Sequence, residues 1–130
     1  MAALFEHVDC IELYVSGLEE GIAYYRDCLG LTLLWRADTT AGLGMEQDIT
    51  EVVLQTDRKK MNVDFKVASV VNAVEKVIKF GGRVIHGPFD IPIGKCAVVQ
   101  DIWENEYVLL DMTKGKYMTD EQGNVVGVGG

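Results

Sequence analysis

Two short stretches carry most of the side chains that could do chemistry. Cys10-Ile-Glu-Leu-Tyr14 places Cys10, Glu12 and Tyr14 at alternate positions, and Asn62-Val-Asp-Phe-Lys66 does the same with Asn62, Asp64 and Lys66. In an extended strand, alternate residues share a face. Each set therefore leaves one face polar while Ile11, Leu13 and Val15, or Val63, Phe65 and Val67, line the other. Carboxylates, an amide, a phenol and an amine on one face can orient a polar ligand, and Lys66 could neutralise an anionic one. The same groups could instead form an ion network of Lys66 with Glu12 or Asp64.

Other candidates are weaker. Cys10 has no His or basic neighbour on its own face to stabilise a thiolate, so a small buried hydrophobe is the simpler role. His7 and His86 are the only histidines. His7 falls on the opposite face from Cys10, and His86 ends a strand before Gly87-Pro88, where a loop should start. Trp35, Trp103 and Tyr14 could stack on a flat ligand, whereas Tyr24 and Tyr25 read as helix packing. Trp103 lies in a turn, which leaves its ring at a rim or interface. No phosphate-binding glycine loop, nucleophile elbow or catalytic triad spacing occurs.

The elements that position these residues come in two copies. Cys10/Asn62, Val15/Val67 and Gly30/Gly82 are each 52 residues apart, and Val52–Thr56 matches Tyr107–Asp111 at an offset of 55. Each copy reads as a strand, a helix and further strands. In the first, Ser16-Gly-Leu-Glu19 has capping-box spacing, Leu18, Ile22, Tyr25 and Leu29 recur at helical spacing, and Gly30 closes the helix. In the second, Ser69 is the expected N-cap, Val70, Val74, Val77 and Phe80 form the apolar stripe, and Gly81-Gly82 ends it. Thr39 to Asp48 has no clear period and reads as a loop with at most a short strand, able to cover a pocket. Two modules, 5–57 and 61–113, should form one domain, with 114–130 a C-terminal appendage on the surface or at a partner contact.

The bulk properties set limits. The chain has 130 residues, 48% of them apolar, with 12 Lys and Arg against 20 Asp and Glu for a net charge of −8. Mean hydropathy is +0.11 and the pI about 4.6. That charge disfavours nucleic acid and anionic membranes as partners. Three dispersed cysteines give no disulfide framework or zinc pattern, and neither a membrane span nor a signal peptide is visible. A cytoplasmic protein is the expectation.

The run Val15-Ser-Gly-Leu-Glu-Glu-Gly-Ile-Ala-Tyr-Tyr-Arg-Asp-Cys-Leu-Gly-Leu31 resembles the opening of the vicinal-oxygen-chelate superfamily, which includes glyoxalase I, bleomycin-resistance proteins and extradiol dioxygenases. Ala73–Gly82, Gly87-Pro88 and Asp101-Ile-Trp-Glu-Asn105 resemble its second half, the last with Ile102 and Glu104 in place of the Pro and Gly of a usual Asp-Pro-x-Gly-Asn turn. The resemblance implies an α+β fold of two βαβββ modules in an open, cup-like eight-stranded sheet, often in a homodimer. It also implies four metal-ligand positions, which carried onto this chain are Cys10, Val53, Asn62 and Val108. Members that bind metal have His or Glu there, and shifting the register to Glu51, Gln55, Glu106 or Leu110 restores no such set.

The expectation is thus a metal-free, cofactor-free homodimer that sequesters a small organic molecule. Its ligand-binding set would be Cys10, Glu12, Tyr14, Gln55, Asn62, Asp64, Lys66, Trp103 and Val108. The alternative is a lyase, isomerase or dioxygenase with a non-standard metal or acid–base site, with Glu12 and Asp64 the best-placed carboxylates.

Overall fold

The computed structural model describes residues 3–130. It contains two compact units. One comprises Asp9–Asn62 with Tyr117–Gly127, and the other Val63–Lys116 with the segment ending at Val8 and with Val128–Gly130. We call them the first-copy and second-copy units.

In the first-copy unit, strand β1 (His7–Tyr14) leads through Gly17 into helix α1 (Leu18–Ile22), which continues as a π-helical segment over Ala23–Cys28. Strands β2 (Thr32–Arg36), β3 (Thr40–Gly44) and β4 (Glu51–Gln55) follow. The strand order is β2-β3-β4-β1, with β1 parallel to β4 and the remaining pairs antiparallel. Leu18 and Ile22 of the helix pack on Ala41, Leu43 and Leu54, with Leu13, Leu33 and Val52 at the margin. One face of these strands is thereby taken by the helix, and the other carries the alternate residues.

The second-copy unit repeats the plan. Strand β5 (Asn62–Lys66) enters it, helix α2 (Val70–Lys79) follows, and β6 (Arg83–Ile91), β7 (Gly94–Gln100) and β8 (Glu106–Leu110) complete it. The order is β5-β8-β7-β6, with β5 parallel to β8. Val70, Ala73 and Val74 pack on Val67, Ala97, Val99 and Leu109, and Phe5, Phe65 and Tyr107 join as a cluster of aromatic contacts. Two βαβββ modules of α+β type are present.

Several local expectations are corrected. Ser16 and Glu19 form no capping box: the N-cap is Gly17, with no side-chain hydrogen bond to the cap. Glu19 instead accepts from Arg36 across the unit, and Glu20 fills the space that a side chain at position 17 would need. Ser69 does cap α2, accepting from the Asn72 N–H at 3.2 Å. The stretch from Thr39 holds a full strand, β3, between β2 and β4, with Ala41 and Leu43 completely buried. Its weak periodicity has a steric cause. A Cβ at Gly42 would lie 2.0 Å from Trp35 Nε1 and 2.6 Å from Glu51 Oε1, so the position facing away from the helix is bare. Gly87-Pro88 starts no loop either, because β6 runs through it with two register shifts.

Residues after Thr113 form a hairpin of β9 (Lys116–Thr119) and β10 (Val125–Gly129). It is tied to β2 by the Arg36 N–H, which donates to Gly123 O at 2.8 Å, and by the bridge from Arg36 to Asn124.

Candidate functional site

Strand register decides which side chains share the face opposite α1. Cys10, Glu12 and Tyr14 stand beside Glu51, Val53 and Gln55 in the parallel β1–β4 pair. Cys10, Glu12, Val53 and Gln55 are buried, and Tyr14 and Glu51 half-buried. Four of the expected residues are thus neighbours, with Glu51 added to them.

Glu12 is not isolated. Arg58 Nη2 donates to its Oε1 at 2.7 Å. Arg58 is held there by Gln55, whose Oε1 accepts from the Asp57 and Arg58 N–H groups at 2.8 Å each. Gln55 Nε2 donates to Arg58 O at 2.5 Å. The amide of Gln55 is consequently spent on shaping the connector after β4.

The β2 strand supplies an aromatic wall. Leu33 packs on the helix side, so strict alternation would send Trp35 there too. A register shift between Leu33 and Trp35 reverses this and brings the indole over Gly42. An extra residue in one strand re-aims a side chain in just this way. Trp35 Nε1 donates to Glu51 Oε1 at 2.6 Å. Tyr117, from the C-terminal hairpin, lies against Trp35 with ring centroids 4.9 Å apart.

Burial pushes the Glu51 carboxyl above the usual carboxylate range; the Trp35 N–H opposes this, and Asp9 adds to it. Desolvation penalises the charged form, and a neighbouring anion does the same. Tyr117 is raised for matching reasons, first burial and then the Glu51 charge. A half-buried carboxyl between an indole and a phenol can hold a proton, donate a hydrogen bond or receive a cation.

In the second-copy unit, Asp64 and Lys66 stand beside Val108 and Leu110 in the β5–β8 pair. Asp64 and Val108 are buried, and Asn62, at the start of β5, is half-buried. Lys66 Nζ meets Glu6 Oε1 at 2.6 Å, a partner absent from the expected network of Glu12 and Asp64. Trp103 stands apart from these residues. It is 76% exposed in the turn after β7 and edges an apolar groove on the α2 side, with Val77, Phe80, Ile102 and Tyr107. His86 is exposed, its ring 4.8 Å from that of Phe89.

The four metal positions implied by the resemblance can be tested on their donor chemistry. Val53 and Val108 are buried aliphatic side chains at the centres of their strands and offer no donor atom. Cys10 is a buried thiol set beside Glu51, and Asn62 offers an amide. These residues do not fit a resident divalent ion of the usual kind.

From spacing alone Glu51 stands out only as a shifted ligand position, and Tyr117 does not stand out at all. Glu51 was legible, since Glu51-Val-Val-Leu-Gln55 puts it on the face of Val53 and Gln55. Tyr117 had no periodic signal, because it reaches the site from outside the repeat.

Comparison with known proteins agrees with this architecture. The sequence model of the Glyoxalase/Bleomycin resistance protein/Dioxygenase superfamily matches residues 7–128. No curated protein matches the chain in sequence. Among solved structures, methylmalonyl-CoA epimerase from Mycobacterium tuberculosis is similar with a TM-score of 0.71 at 15% identity, over 85% of this chain and 92% of that one. The Streptomyces coelicolor methylmalonyl-CoA epimerase gives 0.70 at 13% identity, over 84% and 99%. A variant of homoprotocatechuate 2,3-dioxygenase from B. fuscum gives 0.60 at 21% identity, over 84% of this chain and 33% of that one. At these identities the structural likeness concerns the fold.

Proposed function

Since the chain belongs to the Glyoxalase/Bleomycin resistance protein/Dioxygenase superfamily, we propose that it binds a small organic molecule on its helix-free strand faces, without a resident metal. The observation that carries this reading is the Trp35–Glu51–Tyr117 assembly. A face needed only for packing would be filled most cheaply by aliphatic side chains. This one instead has a bulge, a bare glycine and a half-buried carboxyl that together present aromatic surface with a polar anchor. Ligand sites commonly combine apolar walls with a few oriented polar groups.

The raised Glu51 carboxyl supports a second reading, acid–base chemistry such as isomerisation, with Glu51 a better candidate than the Arg58-paired Glu12. A homodimer is part of the proposal, as pairing would cover sheet edges.

A thermal-shift screen of planar organic compounds, repeated on Trp35→Ala, tests the binding reading. Hits whose shift disappears in Trp35→Ala support it, and a full screen without hits contradicts it. Elemental analysis of protein prepared without chelator should find well under one equivalent of divalent metal per chain. Light scattering should give about twice the chain mass of 14.4 kDa.

A further inference from the structure

We infer that the ligand of the first-copy unit is a planar organic cation, stacked on Trp35 and Tyr117 and ion-paired with Glu51. The inference rests on the binding reading above and narrows it to one chemical class.

The arginines of this unit and the neighbours of Glu51 lead there. Arg58 is taken by Glu12, Arg36 by Glu19 and Arg26 by Asp27. The side-chain donor on Glu51 is neutral, the Trp35 indole N–H. Among the described residues, the titratable groups placed about Glu51 include Asp9, Cys10 and Glu12 on β1 and Tyr117 on β9, and none of these carries a positive charge. An anion arriving at Trp35 would meet Glu51 and Asp9 with no free guanidinium among the three arginines named. A cation would find a carboxyl acceptor beside two aromatic rings, the combination that recognises flat and quaternary ammonium groups. The net charge of −8 draws cations toward the surface over the same range.

The carboxyl also supplies a linkage. With Glu51 held above the ordinary carboxylate range, a fraction of it is protonated in the empty protein just above that range. An arriving cation favours the ionised form, so binding releases that proton to solvent, and affinity rises with pH until Glu51 is already ionised.

Calorimetric titration of the whole chain with three flat probes of similar size tests this: N-methylquinolinium chloride, 2-naphthalenemethanol and 2-naphthoate. The expected result is N-methylquinolinium binding at least tenfold tighter than either other probe. Its affinity should increase from mildly acidic to neutral pH, with heats that depend on the buffer's ionisation enthalpy because a proton is released. Glu51→Gln should reduce the cation's affinity about tenfold and leave 2-naphthalenemethanol unchanged. Should Glu51→Gln fail to fold, the preference and proton release of the unsubstituted protein decide alone. Equal or better binding of 2-naphthoate or 2-naphthalenemethanol overturns the inference while the binding reading stands. Failure of all three probes to bind overturns both.

Discussion

Glu104 and Gly123 occupy the same place in two copies of one turn. Asp101 Oδ1 accepts from the N–H groups of Trp103 and Asn105, and Asn105 Nδ2 donates back to Oδ2. Asp120 repeats this with Gln122 and Asn124. The fourth residue has φ of 69° at Glu104 and 86° at Gly123. Left-handed backbone suits glycine and disfavours a residue with a Cβ. The second turn follows the Asp-x-x-Gly-Asn pattern, and the first departs from it at the strained position.

Glu104→Gly should therefore raise stability by about 0.5–1 kcal/mol, the left-handed penalty less the extra entropy of an unfolded glycine. Gly123→Ala should lower it by about 1 kcal/mol. The nearest side-chain atom to a Cβ at 123 is Leu33 Cδ2 at 3.4 Å, an ordinary contact, so the backbone term dominates. Urea denaturation of both variants measures the two changes, and equal signs would contradict the argument.

Asp111 ties the start of α2 to β7. Its carboxylate accepts from the N–H groups of Val70 at 2.8 Å and Lys95 at 2.9 Å, and from the Thr113 hydroxyl at 2.9 Å. Burial alone would raise its pKa, but the hydrogen bonds from Val70, Lys95 and Thr113 together bring it below the usual range. A depressed folded pKa means stability that is present above the ordinary carboxylate range and lost as pH falls through the folded value. Asp111→Ala should cost about 3 kcal/mol at neutral pH, from several charged hydrogen bonds lost and donors left buried. The deficit should shrink in acid, as melting of both proteins across pH would reveal.

Glu51 has the opposite sign. Its folded pKa is raised, so its favourable contribution is full below the unfolded value and is lost as pH rises through the folded one. Glu51→Gln should consequently gain in melting temperature relative to the unsubstituted protein as pH rises from below the ordinary carboxylate range to neutrality. A difference that stays flat across this window would mean that Glu51 ionises normally.

Lys66 was the natural candidate for an anion anchor, and its pairing with Glu6 alters the expected phenotype. The side chains are 22% and 42% exposed, so solvent screens the pair. Lys66→Met should change stability by no more than about 1 kcal/mol. It should leave the shift caused by a Trp35-dependent ligand intact. Loss of that shift would return Lys66 to the site.

The modules were legible because each strand buries one face under a helix, which writes period-two alternation directly into Cys10–Val15 and Asn62–Val67. Three features were not. Gly42 carries no side chain to report a face, so the sequence around β3 reads as a loop with at most a short strand. Trp35 obeys a bulge, and alternation counts through bulges as if they were absent. Lys66 and Glu12 take partners, Glu6 and Arg58, that lie outside the alternating runs which named them. Periodicity locates faces; it does not pair charges across long separations.

The connector after β4 has consequences for where this chain can be cut. Gln55 binds the backbone of Asp57 and Arg58 on both sides of the turn, so the stretch joining the copies is a folded part of the first one. It is no tether. A circular permutant opened between Arg58 and Lys59 would disturb a turn organised by a buried amide and would release the arginine that neutralises Glu12. New chain ends within 45–49, where successive residues are exposed, would leave both intact. The boundary between sequence repeats and the boundary at which the chain tolerates interruption fall in different places.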